Sequence, residues 1–366
     1  MNFNLDEEQT LLRDSVCRFV AQQYGFEQRR AVVESGGFSR AHWKQFAQMG
    51  WLGAGLPESA GGYGGSALDT AIIAEQLGRG LVLEPFVEVA VLCAHALLPS
   101  QDQSAAVAAL GALIDGGCLI VPALQEARAD VTLAAGGPPR LSGRQTMVVG
   151  GPQADRFLIA AAEAGGVSLL LLNADTPGLQ RHDYRLIDGS PASDLLFDAV
   201  AIDAGQRLGA RGGAAHTIAT AREHGTVAYC AQALGVMDLA LATTRDYLLQ
   251  RRQFGAAIAS FQALRHRIAD MLIAHEQARA TLHGALAALS APDPVERRRA
   301  VAIAKAQSGR SGRFVGAQAI QLHGGIGMTD EYIVGHCFKR LMVLDQLQGN
   351  SSAQLAALAA MREIHT

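Results

Sequence analysis

The stretch VAYCAQALGVMDLALATTRDYLLQRRQFGAAIASFQ, residues 227–262, decides the architecture of this chain. Within it Val227, Cys230, Leu234, Met237, Leu241, Thr244 and Leu248 alternate steps of three and four residues, the apolar seam of a long helix. Gly255 marks where that helix has to end. Phe261 then opens a second seam through Leu264, Ile268, Met271, His275, Ala278, Leu282, Ala285 and Leu289. Two such seams joined by a short link pack antiparallel. Further seams of the same spacing in 294–319 and 332–347 supply two more helices, so residues 209–366 read as a C-terminal four-helix bundle.

Upstream the texture changes. Between Cys118 and about Arg207 the short apolar runs 118–123, 146–149, 156–161 and 167–172 are broken by Gly, Pro, Asp and Asn. That pattern predicts an antiparallel β-barrel or sandwich over residues 117–208. Residues 1–116 have helical spacing. Asn4 and Glu7 read as a capping box, with Leu5, Leu12, Val16 and Phe19 on one face. Ser39 caps a helix carrying Trp43, Phe46 and Met49, and a third helix begins near Ser66. Between them the glycine-rich link LPESAGGYGG, residues 56–65, has neither a Walker lysine nor a preceding strand, and reads as a turn. The expected fold class is α+β: an N-terminal helical domain, a middle β domain and a helical bundle.

Composition narrows the function. The chain has 366 residues and is 49% hydrophobic, enough for two or three domains with real cores. Only 18% of it is charged, and 31 Lys and Arg against 34 Asp and Glu leave a net charge of −3. A surface this neutral argues against nucleic-acid and polybasic membrane binding, and suggests that helix surface is covered by subunit contacts. No run reaches 18 uninterrupted apolar residues, and the acidic start MNFNLDEEQT lacks the plan of a secretory signal, so a cytoplasmic protein without membrane insertion is expected. Cys17, Cys93, Cys118, Cys230 and Cys337 are far apart and form no CxxC pair, which predicts buried thiols rather than disulfides or zinc ligands. His275, with no second metal donor nearby, reads as a hydrogen-bonded core histidine.

Two elements look chemical. Tyr247, Arg251 and Phe254 fall at i, i+4 and i+7, and Gln262 follows across the link, a set able to clasp a nucleotide with guanidinium on pyrophosphate and ring and amide on adenine. The second element is QLHGGIG, residues 321–327, whose glycines permit positive φ and let backbone N–H groups approach a ligand. Each alone is as well explained by a solvated helix charge or a glycine C-cap.

Together they are far more specific. The run Y-x-x-x-R-x-x-F-G-x-x-I-x-x-F-Q from Tyr247 to Gln262, followed some sixty residues later by Q-L-H-G-G-x-G and by Glu331-Tyr332, resembles the acyl-CoA dehydrogenase family over essentially the whole chain. The resemblance implies an FAD enzyme that oxidises the Cα–Cβ bond of an acyl-CoA thioester. A carboxylate takes the α proton, hydride passes to the flavin, and an electron-transfer flavoprotein reoxidises it. It further implies that Arg251, Phe254 and Gln262 hold the FAD pyrophosphate and adenine, and that Gln321, Leu322, His323, Gly324, Gly325 and Asn350 line the same cofactor.

The departures from that pattern carry as much information. Where the family has Y-E-G-T-S this chain has Leu347-Gln348-Gly349-Asn350-Ser351, so an amide stands in the place of the base, and an amide does not take a proton from carbon. Some members keep the base ten residues before the glycine matched by Gly235, but that position is Gly225. Glu223 is about 200° away if the chain is helical there. Glu223 and Asp345, one turn before Gln348, are the alternative base candidates. The flavin motif T-E-P-x-x-G-S-D has become Ala123-Leu124-Gln125-Glu126-Ala127-Arg128-Ala129-Asp130, and W-I-T-N-G has become Met147-Val148-Val149-Gly150-Gly151. The segment LGRGLVLEPF, residues 77–86, also resembles the small or β subunit of heteromeric acyl-CoA dehydrogenases of the pimeloyl-CoA and steroid side-chain types. In such a heterotetramer this chain donates nucleotide contacts to a homologous partner that keeps the base. A homo-oligomer, and an inactive homologue serving as scaffold or acyl-CoA binder, stay open as alternatives.

Overall fold

The computed structural model describes residues 4–100, 102–124, 131–134 and 138–363. In chain order the helices are α1 (Glu7–Gln23), α2 (Phe26–Glu34), α3 (Arg40–Gln48), α4 (Ala67–Arg79), α5 (Ala94–Leu97), α6 (Ser104–Ile114), α7 (Ala215–Gln250), α8 (Gln262–Ala288), α9 (Pro294–His323), α10 (Ile333–Gln346) and α11 (Ser351–Glu363). The strands are β1 (Ile120–Ala123), β2 (Val131–Leu133), β3 (Arg140–Val149), β4 (Arg156–Glu163), β5 (Gly166–Asn173), β6 (Leu179–Arg185), β7 (Pro191–Ala201) and β8 (Arg207–Leu208), with a small hairpin of β9 (Arg252–Gln253) and β10 (Ala256–Ala257). The succession helices, sheet, helices is the one expected. By contacts the chain forms two units, one of residues up to Arg30, Ala71–Val82 and from Thr226 on, the other of Ala31–Thr70 and Leu83–Gly225.

The sheet unit has strand order β6-β7-β3-β2-β4-β5-β8, with β1 added beside β4. Most pairs are antiparallel, but β1 and β2 both run parallel to β4, which corrects the expectation of a wholly antiparallel domain. The apolar runs read from sequence form β1, the end of β3, β4 and β5; β1, β4 and β5 are largely buried, while of 146–149 only Val148 and Val149 are. The edge strand β6 is LQRHDYR with almost every side chain exposed, so it leaves no apolar signature. In the same unit Ser39 caps α3 by accepting from the His42 N–H, while Trp43, Phe46 and Trp51 pack with tilted rings in the core, centroids 5.9 and 5.0 Å apart. The glycine-rich link is a turn that consumes its own donors: Gly62, Tyr63 and Gly64 N–H groups go to the carbonyls of Pro57, Gly53 and Leu56.

The bundle unit begins with α1, where the capping box is one of Asp6 and Gln9 rather than Asn4 and Glu7. The helix starts at Glu7, so Asp6 is the side chain that reaches the Gln9 N–H, at 2.8 Å. Helices α7 to α10 are the four expected ones, and α11 is a fifth. The seam of α7 is buried from Val227 to Met237 and again at Thr244 and Leu248. Along α8 it is buried only from Met271 onward, and Phe261 at its start is 37% exposed. One 18-residue window of α7 has the length and hydropathy of a membrane span, but 78% of it is buried inside the protein. Cys93, Cys230 and Cys337 are buried thiols, whereas Cys17 and Cys118 are half-buried.

Helices α4 and α7 cross at Gly78 and Gly235 with no room for a side chain. A Cβ on Gly235 would lie 1.8 Å from the Glu75 carbonyl oxygen, and one on Gly78 2.1 Å from that of Gln232. The crossing puts Glu75 beside Asp238, and His275 and Arg279 of α8 complete the cluster, with His275 Nε2 2.8 Å from an Asp238 oxygen. Burial, followed by the Asp238 charge, pushes the Glu75 carboxyl up to about 7 from 4.5. The fold therefore holds the proton more tightly than the unfolded chain does, and this group's contribution is lost as pH rises from about 4.5 through about 7. Glu75→Gln removes that loss. Denaturant unfolding should find the variant up to about 3 kcal/mol more stable than the native chain at pH 8, and nearly equal to it at about pH 4.

Candidate functional site

Helix α7 stops at Gln250, where the sequence turns into a hairpin rather than continuing one helical face through Phe254. Strands β9 and β10 pair antiparallel, Gln253 opposite Ala256 and Arg252 opposite Ala257. The two residues between them, Phe254 and Gly255, both have positive φ, 52° and 80°. That is the requirement of a type I′ hairpin turn, easy for glycine and strained for phenylalanine. Phe254 is thereby held 92% exposed, edge-on to Phe261 at 6.1 Å. Arg251 precedes the hairpin with its N–H on the Tyr247 carbonyl at 2.8 Å and its side chain in solvent. Gln262, also exposed, is the first residue of α8.

The second motif lies at the C-terminus of α9 and is joined to the first by one aromatic contact. Tyr247 stacks on His323 with centroids 4.4 Å apart and planes 28° apart, and its hydroxyl donates to the His323 carbonyl at 3.3 Å. Tyr332 meets the same imidazole at 5.1 Å. His323 Nδ1 lies 2.8 Å from the Ala319 carbonyl, which only accepts, so Nδ1 carries the hydrogen and Nε2 is left as an acceptor. That Nε2 is buried without a partner, and burial holds the imidazole below its ordinary range and neutral. Gln321 is exposed and Leu322 buried. A Cβ on Gly324 or Gly325 would meet nothing within 4 Å, so the backbone there faces open space.

The position of the expected base is a turn between α10 and α11. Gln348 and Gly349 are both left-handed, with φ of 59° and 85°, and the Gln348 carbonyl accepts from Gln354 Nε2 at 2.9 Å. Asp345 is buried with both carboxylate oxygens in use. One accepts the Ser351 N–H at 3.0 Å and the other pairs with Arg313 at 3.0 Å. Asn350 caps α11 through the Ala353 N–H at 3.0 Å. Lys305, itself buried, donates to the carbonyls of Leu344 and Asp345 at 2.7 and 2.9 Å. The close fit depends on Gly309, where a Cβ would lie 2.0 Å from an Asp345 oxygen. Lys305, Gly309 and Arg313 stand four apart on one face of α9, a spacing visible in sequence and not read from it. Glu223 lies in the sheet unit, on a stretch of α7 that is helical through Gly225, and so points about 200° away from that position.

In the sheet unit, the segment Gln125, Glu126, Ala127, Arg128, Ala129 and Asp130 lies outside the described residues. Ala123 ends β1, and Leu124 is buried. Met147 sits at a bulge in β3 with φ of 53°, its N–H donating to Tyr184 Oη at 3.2 Å and to Asp194 at 3.0 Å. Val148 and Val149 are buried hydrocarbon, so no hydroxyl or indole is offered there. Among the described residues no group of three or more His, Cys, Asp or Glu is placed to hold a metal ion.

Comparison with known proteins agrees with this architecture. Residues 6–105 match the family model of the acyl-CoA dehydrogenase N-terminal domain and residues 212–361 that of the C-terminal domain. Acyl-CoA dehydrogenase FadE27 of Mycobacterium tuberculosis is 29% identical over 333 residues, 87% of each chain. Among solved structures, a variant of the Tcur3481-Tcur3483 steroid ACAD superposes with a TM-score of 0.89 at 28% identity, covering 98% of both chains. The ChsE4-ChsE5 complex from Mycobacterium tuberculosis superposes equally well, at 0.89 and 27%, covering 100% of this chain and 99% of that one. The chain belongs to the acyl-CoA dehydrogenase family, FAD-dependent oxidoreductases that act on acyl-CoA.

The contacts of Asp345 make a stability test. Asp345→Ala leaves the Ser351 N–H at the start of α11 without its acceptor and strips Arg313 of its carboxylate, and should cost about 2–4 kcal/mol in denaturant unfolding. An unchanged unfolding midpoint would show that the carboxylate is not spent on structure.

Proposed function

We propose that this chain is the nucleotide-contributing subunit of a heteromeric, FAD-dependent acyl-CoA dehydrogenase of the cytoplasm, paired with a homologous subunit that carries the base. The observation that carries the reading is the contrast within the bundle unit. The Tyr247–His323 stack holds two exposed nucleotide motifs at one end, while the turn at the base position holds an amide and a carboxylate already committed to the fold.

The residues present suit the nucleotide half of the cofactor. Arg251 brings a guanidinium free in solvent to the pyrophosphate, and Phe254 and Gln262 bring a ring face and an amide to the adenine. Gln321 and the open backbone at Gly324 and Gly325 line the same nucleotide, and the orphaned Nε2 of His323 is an acceptor awaiting a donor. Bound FAD supplies the hydride acceptor for oxidation of the acyl Cα–Cβ bond. Gln348 contributes hydrogen bonding but takes no proton, which leaves the α-proton transfer to the partner. Val149 and Met147 offer no donor for a flavin ring in the place where the family pattern has one. An electron-transfer flavoprotein is the expected electron acceptor of the assembled enzyme. The names of the structural relatives, a steroid dehydrogenase variant and a two-protein complex, support a heteromer acting on a bulky acyl-CoA. The same commitment of Asp345 favours a second reading, an inactive acyl-CoA-binding homologue, which an absence of turnover in every assembly with homologous chains would select.

Two variants test the proposal. Arg251→Ala deletes a charge-assisted contact of about 1.5–3 kcal/mol, so FAD affinity of the assembled protein should fall roughly 10- to 150-fold, read as flavin lost on dialysis. Full flavin retention would remove Arg251 from the site. Gln348→Glu alone should leave the isolated chain without acyl-CoA-dependent flavin bleaching, and bleaching in that single variant would show that the chain needs no catalytic partner.

A further inference from the structure

His336, on α10, sits between two groups that leave it a single protonation state. Its Nδ1 is 3.3 Å from Arg29 Nη1, and its Nε2 is 2.9 Å from the carbonyl oxygen of Asp330. A guanidinium only donates and a carbonyl only accepts, so Nδ1 is bare and Nε2 carries the hydrogen. Both neighbours are engaged elsewhere. Arg29 is 1% exposed, and its Nε donates to the Leu81 carbonyl at 3.1 Å. Asp330 stands two residues beyond the short helix Gly324–Met328, and its carboxylate is paired with Lys339 at 2.7 Å. Phe26 closes the ring edge-on at 5.3 Å. A continuous path thus runs from the chain after α4, through α2 and α10, to the far end of the loop that starts at His323.

We propose that His336 is a positioning residue for the nucleotide-facing loop, a neutral imidazole strut that ties the Asp330 backbone to buried Arg29 and releases it on protonation. The proposal uses the functional reading only in taking that loop as nucleotide-facing. A proton on Nδ1 would set two donors and two positive charges against each other. Arg29, buried and bonded to Leu81, has nowhere to withdraw, so the imidazole must swing and take Nε2 away from Asp330. Of the charged groups around the ring, only the Asp330 carboxylate favours a proton, and it is the smallest influence. Arg29 on α2 and Lys339 on α10 oppose a proton, Arg30 acts on Asp330, whose carboxylate is taken up by Lys339, and the Cys337 thiol is neutral, pushed up to about 12 by burial. Burial first, then Arg29 and Lys339, hold His336 below its ordinary 6.5 against the Asp330 carbonyl and carboxylate, so the strut is intact at neutral pH. Its contribution is lost as pH falls below about 6.5 and through the lower folded value.

Hydrogen–deuterium exchange on the full-length chain, in whichever assembly it purifies, reads the strut directly. After correction for intrinsic rates, exchange in residues 324–332 should rise at least tenfold from pH 7.5 to pH 5, while the α7 seam at 227–237 stays protected. His336→Gln keeps an acceptor for Arg29 and a donor for Asp330 and does not titrate, so its loop should stay protected at both pH values. His336→Ala should exchange fast at both. The strut is refuted if His336→Gln keeps the native pH dependence, or if the native loop is equally protected at pH 5. The Gln variant and the native pH series decide the matter even if the Ala variant fails to fold. Flavin retention is the separate arm. Loop exchange that responds as expected, with FAD held equally tightly by native and variant assemblies, upholds the strut and removes the nucleotide from that loop.

Discussion

Two helices in the bundle unit meet backbone to backbone, and the placing of the other bundle elements depends on that meeting. With Gly78 against the Gln232 carbonyl and Gly235 against the Glu75 carbonyl, α4 and α7 can neither slide nor rotate without a clash. The crossing sets which residues of α7 face α4, and so places Asp238 beside Glu75. It also leaves Gln232 to accept from buried Arg340 of α10 at 3.0 Å, and sets Asp238 2.8 Å from His275 Nε2 of α8. Twelve residues beyond Gly235, about 18 Å along the axis, α7 delivers Tyr247 to His323. The Tyr247–His323 end is thus positioned by a contact three turns away.

A second glycine series does the same for the turn at the base position. Gly309, Gly312 and Gly316 of α9 face Asp345, Leu341 and Phe338 in turn, and a Cβ at any of them would crowd its neighbour. The approach lets Lys305 cap α10 and Arg313 reach Asp345. A general base needs a free lone pair and a proton affinity near the working pH. Asp345 has spent both oxygens on a helix cap and an arginine, and Gln348 has no carboxylate to tune. The turn that would carry catalysis is held rigidly, and its polar groups are used for holding it.

The parts of the fold legible in the sequence are those written in local periodicity. The α7 and α8 seams, the Ser39 cap and the four apolar strands need only nearest neighbours in sequence to be read. Features set at long range escape such a reading. The polar edge strand β6 and the parallel pairing of β1 and β2 with β4 have no local signature. Of the site, the two motifs are visible as strings, but the hairpin is not, because a phenylalanine in left-handed conformation runs against its own preference. Asp345 reads as a candidate base because a carboxylate one turn from the right place looks reactive. Its engagement depends on Arg313 and Ser351, the first of them 32 residues away.

The neutral composition acquires a location in the structure. Of the seventeen large apolar side chains left exposed among the described residues, twelve belong to the bundle unit. Phe254, Phe261, Leu272, Ile273, Phe314, Ile326 and Met328 all lie on the hairpin, at the start of or on α8, on α9 or on the loop after α9, the stretches that carry the two motifs. Scattered exposed leucines need no explanation, whereas apolar side chains left exposed on a few neighbouring stretches of chain suit burial against another subunit. The lower seam of α8 says the same, since its periodicity is that of a buried helix while Phe261 stays open and Leu264 and Ile268 are only half-buried. An arginine presented from such a face meets a phosphate in a drier, lower-dielectric setting than open solvent allows, where one charge-assisted contact counts for more. Under the proposed function, covering the apolar side chains and holding the nucleotide are a single event in physical terms, and the reading of the chain as one subunit of an assembly draws on that coupling.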